Sequence, residues 1–218
     1  MTKVKTILIG YILLLLCSLF LFSCSNTKSK KIKIGDTISF GRFQWLVLDL
    51  KDDQALIISK GTFGEEYYHH SNIDISYAES SIREYLMSHV YLFFNAEDRS
   101  RMIETTNENL NNQWYGTSGG EATIDKIFLL SISEVVRYFG DSGKLDNRPE
   151  DTWFISDDYN EKRIALTDGE GVDWWLRSPG ETANYACFVT PSGVIVMEGV
   201  EVNYPLKCGI RPALWLKL

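Results

Sequence analysis

Past residue 34 the sequence predicts one α+β domain built on antiparallel sheets. Three observations carry this. Apolar or alternating runs of strand length stand at both ends of the stretch. Helix-start signals cluster in its middle. No repeat, heptad or low-complexity tract breaks it up. Strands at both ends with helices between them fit a segregated α+β layout, not the regular alternation that builds a parallel sheet.

The elements follow in order. Strands are predicted over 37–40, 43–50 and 55–59, with Lys51-Asp52-Asp53 turning between the last two. Ser76-Tyr77-Ala78-Glu79 spells a capping box: the serine hydroxyl accepts one orphan amide and the glutamate reaches back to another. Ala78, Ile82, Tyr85 and Leu86 then share one helical face. Asn95 caps a second short helix ahead of Glu97 and Asp98. Residues 127–130 read as a buried strand. Ser131-Ile132-Ser133-Glu134 is another capping box, and its helix ends at Gly140. Residues 141–170 are polar and aperiodic, read as surface loops with short strands at 153–155 and 163–166. Trp174-Trp175-Leu176 restarts the core. Residues 185–190 and 194–198 flank the turn Pro191-Ser192-Gly193 as a hairpin. Residues 210–218 close the domain, with Pro212 marking an edge or a bulge.

Composition narrows the class. The chain is 44% apolar and 13% aromatic, enough to build a globular core. Beyond Lys33, 16 basic residues face 29 acidic ones, so no basic stripe exists for a nucleic-acid backbone.

The N-terminus carries a separate signal. Lys3 and Lys5 precede an almost wholly apolar stretch, 7–22, suited to a signal-peptide core and short for a membrane span. It closes in Leu21-Phe22-Ser23-Cys24, which resembles a bacterial lipobox. The resemblance implies a diacylglyceryl group on the Cys24 thiol and cleavage before Cys24, leaving 195 residues. Two acyl chains hold a protein on a membrane where one does not. An ordinary secretory signal and an uncleaved anchor helix are the alternatives. Residues 1–23 are thus assigned to the signal, 24–33 to a polar tether and 34–218 to the domain. Lys28, Lys30, Lys31 and Lys33 in the tether either add about 1 kcal/mol each near an anionic surface or simply solvate a spacer.

Of four cysteines, Cys17 lies in the discarded core and Cys24 is the lipid site. Cys187 and Cys208 remain, an even pair in an extracytoplasmic protein, where disulfides persist. A bridge between them would contribute about 3 kcal/mol. Two separate buried thiols are the alternative.

Two motifs carry a further resemblance. Trp174-Trp175-Leu176-Arg177-Ser178-Pro179-Gly180 and Gly209-Ile210-Arg211-Pro212-Ala213-Leu214-Trp215-Leu216 resemble an uncharacterised bacterial domain family. Trp45-Leu46-Val47-Leu48, Ala55-Leu56-Ile57-Ile58-Ser59-Lys60 and Ser81-Ile82-Arg83-Glu84-Tyr85-Leu86 are similar to the same family, so the likeness covers about 34–218. That family is similar in layout to C-type-lectin-like domains of the formylglycine-generating-enzyme branch. The likeness implies paired N- and C-terminal strands, two or three short flanking helices and long display loops. It also implies that Cys187 and Cys208 come together. The Glu-Pro-Asn, Gln-Pro-Asp and Trp-Asn-Asp strings of calcium-dependent sugar-binding lectins do not occur. The paired copper-binding cysteines of the enzyme branch are likewise unmatched, because Cys187 and Cys208 lie far apart in sequence. Fold-level likeness carries no activity by itself.

Candidate chemistry is sparse. No GxSxG, HExxH or GxxxxGK-Ser/Thr string occurs. His69 and His70 are adjacent, so on a strand they point to opposite faces, and His89 ends a helix. Asp168, Glu170 and Asp173 offer loop oxygens that suit calcium, as do Asp157, Asp158 and Asn160; solvated acidic loops are the alternative. Arg177 and Arg211 lie inside apolar runs and are read as structural, held by ion pairs or carbonyls. Asn112, Trp114 and Tyr115 stand in a polar, glycine-flanked loop, the composition of a contact surface. The alternative is that the two aromatics plug the core beneath that loop.

The resulting expectation is a lipid-anchored, extracytoplasmic surface protein with a non-enzymatic domain that needs no cofactor. Its partners are the membrane and an extracellular protein or glycan, not nucleic acid. A formylglycine-generating type of enzyme acting on exported protein and a purely structural envelope protein are the alternatives. Cys24→Ala is expected to release the protein from membranes or block its processing; unchanged size and membrane retention on fractionation would contradict the anchor.

Overall fold

A computed structural model describes residues 31–205 and 208–218. The signal segment, Cys24 and the tether as far as residue 30 lie outside the described residues. Lys33–Leu218 forms one unit.

The chain opens with strands β1 (Thr37–Phe40), β2 (Phe43–Lys51), β3 (Gln54–Ser59) and the short β4 (Glu65–Glu66). Helices α1 (Ser81–Ser88) and α2 (Ala96–Arg101) follow, then β5 (Met102–Ile103), β6 (Thr105–Asn107) and β7 (Thr123–Asp125). Helix α3 (Ile132–Phe139), β8 (Phe154–Ile155) and α4 (Asn160–Arg163) lead to the hairpin of β9 (Ala165–Thr167) and β10 (Glu170–Val172). The last part is β11 (Trp174–Pro179), β12 (Tyr185–Val189), β13 (Ile195–Glu201), β14 (Cys208–Gly209) and β15 (Ala213–Lys217).

Two larger sheets result. The first has order β1-β2-β3-β15-β5, antiparallel throughout. The second has order β4-β14-β11-β12-β13-β8, and only β11 and β14 run parallel. The fold is therefore mixed α and β, mostly antiparallel, with four short helices. The closing strand β15 joins β2 through the single neighbour β3, as expected of a domain that closes on itself. Among the described residues no helix is long and apolar enough to cross a membrane.

The core shows why these residues take these positions. Helix α3 buries Ile132, Val135, Val136 and Phe139, the i, i+3, i+4, i+7 stripe of an amphipathic helix. Each such side chain contributes about 1.5–3 kcal/mol on burial. The stripe packs with Leu48, Leu56 and Ile58 of the first sheet and Trp174, Leu176 and Val189 of the second. Ser131 and Glu134 form the predicted capping box, and Gly140 ends the helix at φ +134°. A Cβ at Gly140 would press into the Tyr159 ring, so position and conformation both require glycine.

Several elements differ from the sequence expectation. Ser76 does not open a helix. Its hydroxyl donates to Glu79, residues 77–79 form a 3-10 turn, and Ser80 caps α1 by accepting from Arg83 N. Residues 127–130 are buried but make only one bridge, Phe128 to Ala213, so they thread the core without joining a sheet. The strand expected at 163–166 is the end of α4 followed by β9. It pairs with β10 across Asp168 and Gly169, which both take positive φ, as a two-residue type I′ hairpin requires. Residues 210–218 are not one strand. Cys208–Gly209 belongs to the second sheet and Ala213–Lys217 to the first, so Ile210, Arg211 and Pro212 carry the chain between sheets. Pro212 is neither edge nor bulge; its carbonyl accepts from Ser59 N at 3.0 Å.

The expected Cys187–Cys208 bridge is a correction: both residues are free, buried thiols. Cys187 is on β12 and Cys208 on β14, with β11 between them. Two strand spacings come to about 9–10 Å, beyond the roughly 7 Å that a disulfide spans. The Cys187 thiol instead donates to Pro179 O (3.0 Å) and Met197 O (3.2 Å). Thiol titration of the protein with Cys17 and Cys24 replaced by serine should find no rapidly reacting cysteine in the native state and two in denaturant without reductant. Zero thiols in denaturant would show a bridge.

Candidate functional site

The polar loop expected to display Trp114 and Tyr115 is held from within. Asn112 is buried, and its amide donates to Pro179 O (2.9 Å) and Met197 O (2.8 Å). Its carbonyl accepts from Trp114 N (2.9 Å) and Tyr115 N (3.3 Å). One side chain thus ties the loop to β11 and β13. Trp114 donates from its indole to Leu145 O, and both rings pack against the core cluster. The Arg148 guanidinium lies over both rings, 5.0 Å and 4.6 Å from their centroids, and donates to the Tyr115 hydroxyl. Burial raises the Tyr115 phenol above its ordinary value, against the Arg148 charge. These groups are turned to the fold and to one another.

The acidic sets are dispersed. Asp168 is the exposed turn residue of the β9–β10 hairpin, and Glu170 is exposed beside it. Asp173 is half-buried; burial raises its carboxyl, and the Glu65 charge adds to the effect. Asp157 pairs with Arg163 at 2.9 Å, both side chains almost fully buried. Burial alone would raise Asp157, but hydrogen bonds from Arg163, Ser142 and Tyr159 N hold it below the ordinary carboxylate value. Asn160 accepts from Asp157 N and Arg163 Nη1. Among the described residues no three His, Cys, Asp or Glu side chains gather around a point that could hold a metal. His69 accepts from Ser81 N, and His89 stacks on Tyr85 at 4.7 Å.

Both predicted structural arginines are buried and tied to carbonyls. Arg211 donates to Ser59 O (2.9 Å) and Arg163 O (2.8 Å). Arg177 donates to Leu129 O (2.7 Å) and Glu108 O (3.3 Å) and pairs with Glu134.

The groove that the fold leaves open lies elsewhere. Helix α3 shares the core cluster with Leu48, Leu56 and Ile58 of the first sheet and Ala213 of β15. A hollow of about 260 Å³ opens between Tyr138 and Glu134 of the helix, Trp215 of β15 and the segment from Thr105 to Leu110. A second hollow of about 290 Å³ adjoins it past Trp215, toward Lys51, Gln54 and Glu104. Both share Thr105, Thr106 and Trp215, so one groove runs across the indole. Arg177 and Glu134 lie at its inner end. Burial raises the Tyr138 phenol; Arg137 opposes this, and Glu134 and Asp49 add to it. A separate hollow of about 300 Å³, almost purely apolar, lies over Trp153, Phe154, Phe188 and Val196. The first groove combines an aromatic floor with converging polar groups, the usual make-up of a small-ligand site.

The family described as a domain of unknown function, DUF6273, matches residues 52–218. The chain belongs to this family. No curated protein and no solved structure matches the chain. The DUF6273 match spans both tryptophan-arginine motifs and every groove residue except Lys51. Within the DUF6273 domain, the motif residues Arg211 and Trp174 face the core, whereas Arg177 lies at the junction of core and groove.

Sequence reasoning missed Trp215, Tyr138, Glu134 and Thr105-Thr106 as one site. A faint signal existed. Tyr138 and Glu134 are four apart on α3, off its buried stripe, and Trp215 is the only half-exposed residue between the buried Leu214 and Leu216.

Proposed function

We propose that the chain is a lipid-anchored cell-surface protein whose single domain binds an extracellular ligand, protein or glycan, without catalysing a reaction. The Trp215 groove carries this reading. It offers a half-exposed indole between two adjoining hollows, with rigid strand and helix walls that need little ordering when a ligand arrives. The C-type-lectin-like description of the fold is part of the same proposal, supported by the placement of β2 and β15 on either side of β3. The enzyme reading has less support. It needs nucleophilic thiols close together, and β11 separates Cys187 from Cys208. Burial pushes both thiols well above their ordinary value; Asp173 and Glu65 add to this at Cys208. A reactive cysteine needs the opposite environment.

A direct test uses 5-fluorotryptophan-labelled protein, whose six tryptophans report separately by fluorine NMR, with Trp215 assigned by Trp215→Phe. Addition of cell-envelope glycan and protein fractions should shift the Trp215 resonance. Ligand-induced shifts confined to other tryptophans would contradict the groove as the binding site.

A further inference from the structure

We infer that the Trp215 groove takes an uncharged, hydroxyl-rich oligosaccharide, one ring of which lies on the Trp215 indole. The inference rests on the binding reading above and names its ligand class. Three observations carry it.

The first is shape. Two hollows of similar size flank one aromatic side chain and share a wall, Thr105-Thr106, so the groove suits a linear chain of repeating units. An aromatic face carries negative charge density and attracts the weakly positive C–H groups on the flat side of a sugar ring.

The second is the supply of hydrogen-bonding groups. Among the described residues neither the Trp215 indole N–H nor the Tyr138 hydroxyl has a hydrogen-bond partner, and neither is a buried orphan. Glu134 uses Oε2 for Arg177, Ser131 N and the Ser131 hydroxyl. Its Oε1 has no partner among the described residues, and the side chain is 26% exposed. Donors, an acceptor and the Thr105 and Thr106 hydroxyls thus line one groove. A sugar hydroxyl can serve all of them, because it donates and accepts at once.

The third is charge. Arg177 is committed to Glu134 and to the Leu129 and Glu108 carbonyls, so its charge is already compensated. Lys51 and Glu104, one charge of each sign, line the opposite end. An anionic ligand would meet three carboxylates, Glu104, Glu108 and Glu134, against the single lysine Lys51 at the far end. For a cationic one, Glu104 and Glu108 are solvent-exposed, where pairing is worth little, and the charge of Glu134 is already compensated by Arg177.

The test titrates the full-length fluorotryptophan protein in detergent with cellotetraose, chitotetraose and mannotetraose as neutral probes. Tetragalacturonate, tetralysine and tetraalanine are the comparisons. At least one neutral probe should shift Trp215 saturably. Tetragalacturonate and tetralysine should bind at least about tenfold more weakly, because each must shed water from charges that the groove leaves without a dedicated partner. Thr106→Val, at an exposed position lining both hollows, should weaken the neutral probe several-fold without changing the melting temperature. Glu134→Gln should weaken it by about tenfold. A Trp215 response to tetraalanine or to a charged probe, with the neutral probes silent, would overturn the saccharide inference and leave the binding reading standing. Neutral-probe shifts at Trp114 or Trp153 instead of Trp215 would overturn the groove itself. Silence from every probe would overturn the saccharide inference.

Discussion

Arg211 is a buried cation that pairs with no described carboxylate, and the two sheets meet around it. Its guanidinium donates to Ser59 O at the end of β3 and to Arg163 O at the end of α4. It lies 4.8 Å from the Trp174 ring centroid in the second sheet and 5.5 Å from that of Phe139 on α3. Trp174 donates its indole N–H to the same Arg163 carbonyl. Burial pushes the guanidinium down to about 9, so it stays charged at neutral pH. A charge in such a place is tolerated only when fixed carbonyl dipoles and π faces replace its water. Those partners come from four elements, so the charge fixes all four relative to one another. The chain crosses between sheets at this residue.

The same logic runs outward along β11. Trp174 faces the arginine core, and Trp175 donates to Glu66 O. Arg177 ties the 108–130 region to α3 through Glu108, Leu129 and Glu134. Ser178 accepts from Ile132 N, and Pro179 O receives both Asn112 and Cys187. Every residue of this motif is therefore occupied with architecture. In the proposed binding role, recognition falls to the rim that the architecture holds open: Trp215 on β15, Tyr138 and Glu134 on the capped helix α3, and Thr105-Thr106 on β6. A groove built on strands and a helix is rigid, and rigidity reduces the ordering cost of binding.

Local chemistry was legible in the sequence where it acted alone. The capping box at Ser131, the cap at Asn95 and the hairpin read at 185–198 are short-range signals, and the structure has them. Signals that needed a partner far along the chain misled. The capping string at Ser76 lost to Ser80, because residues 77–79 close a 3-10 turn around the buried Tyr77. The apolar run 127–130 looks like a strand, but it lies beneath Arg177 and pairs only at Phe128. The cysteine pair fits an exported protein by count, yet sheet order puts a strand between the two thiols. Trp114 and Tyr115 read as display residues by composition; Arg148, over thirty residues on, covers them. The groove was hidden for the same reason: its walls come from residues 51, 105, 138 and 215, which only the sheet order brings together.

The most direct test of the central claim is the unfolding free energy of Arg211→Met, measured by denaturant titration against the unmodified protein. Methionine fills much of the volume but satisfies neither carbonyl. Losing two hydrogen bonds from a charged donor should cost about 3–6 kcal/mol, with Arg211→Lys falling between, since one ammonium cannot reproduce the planar fork on the Trp174 face. A Met variant as stable as the parent, within about 0.5 kcal/mol, or more stable, as some buried charges allow, would contradict the account.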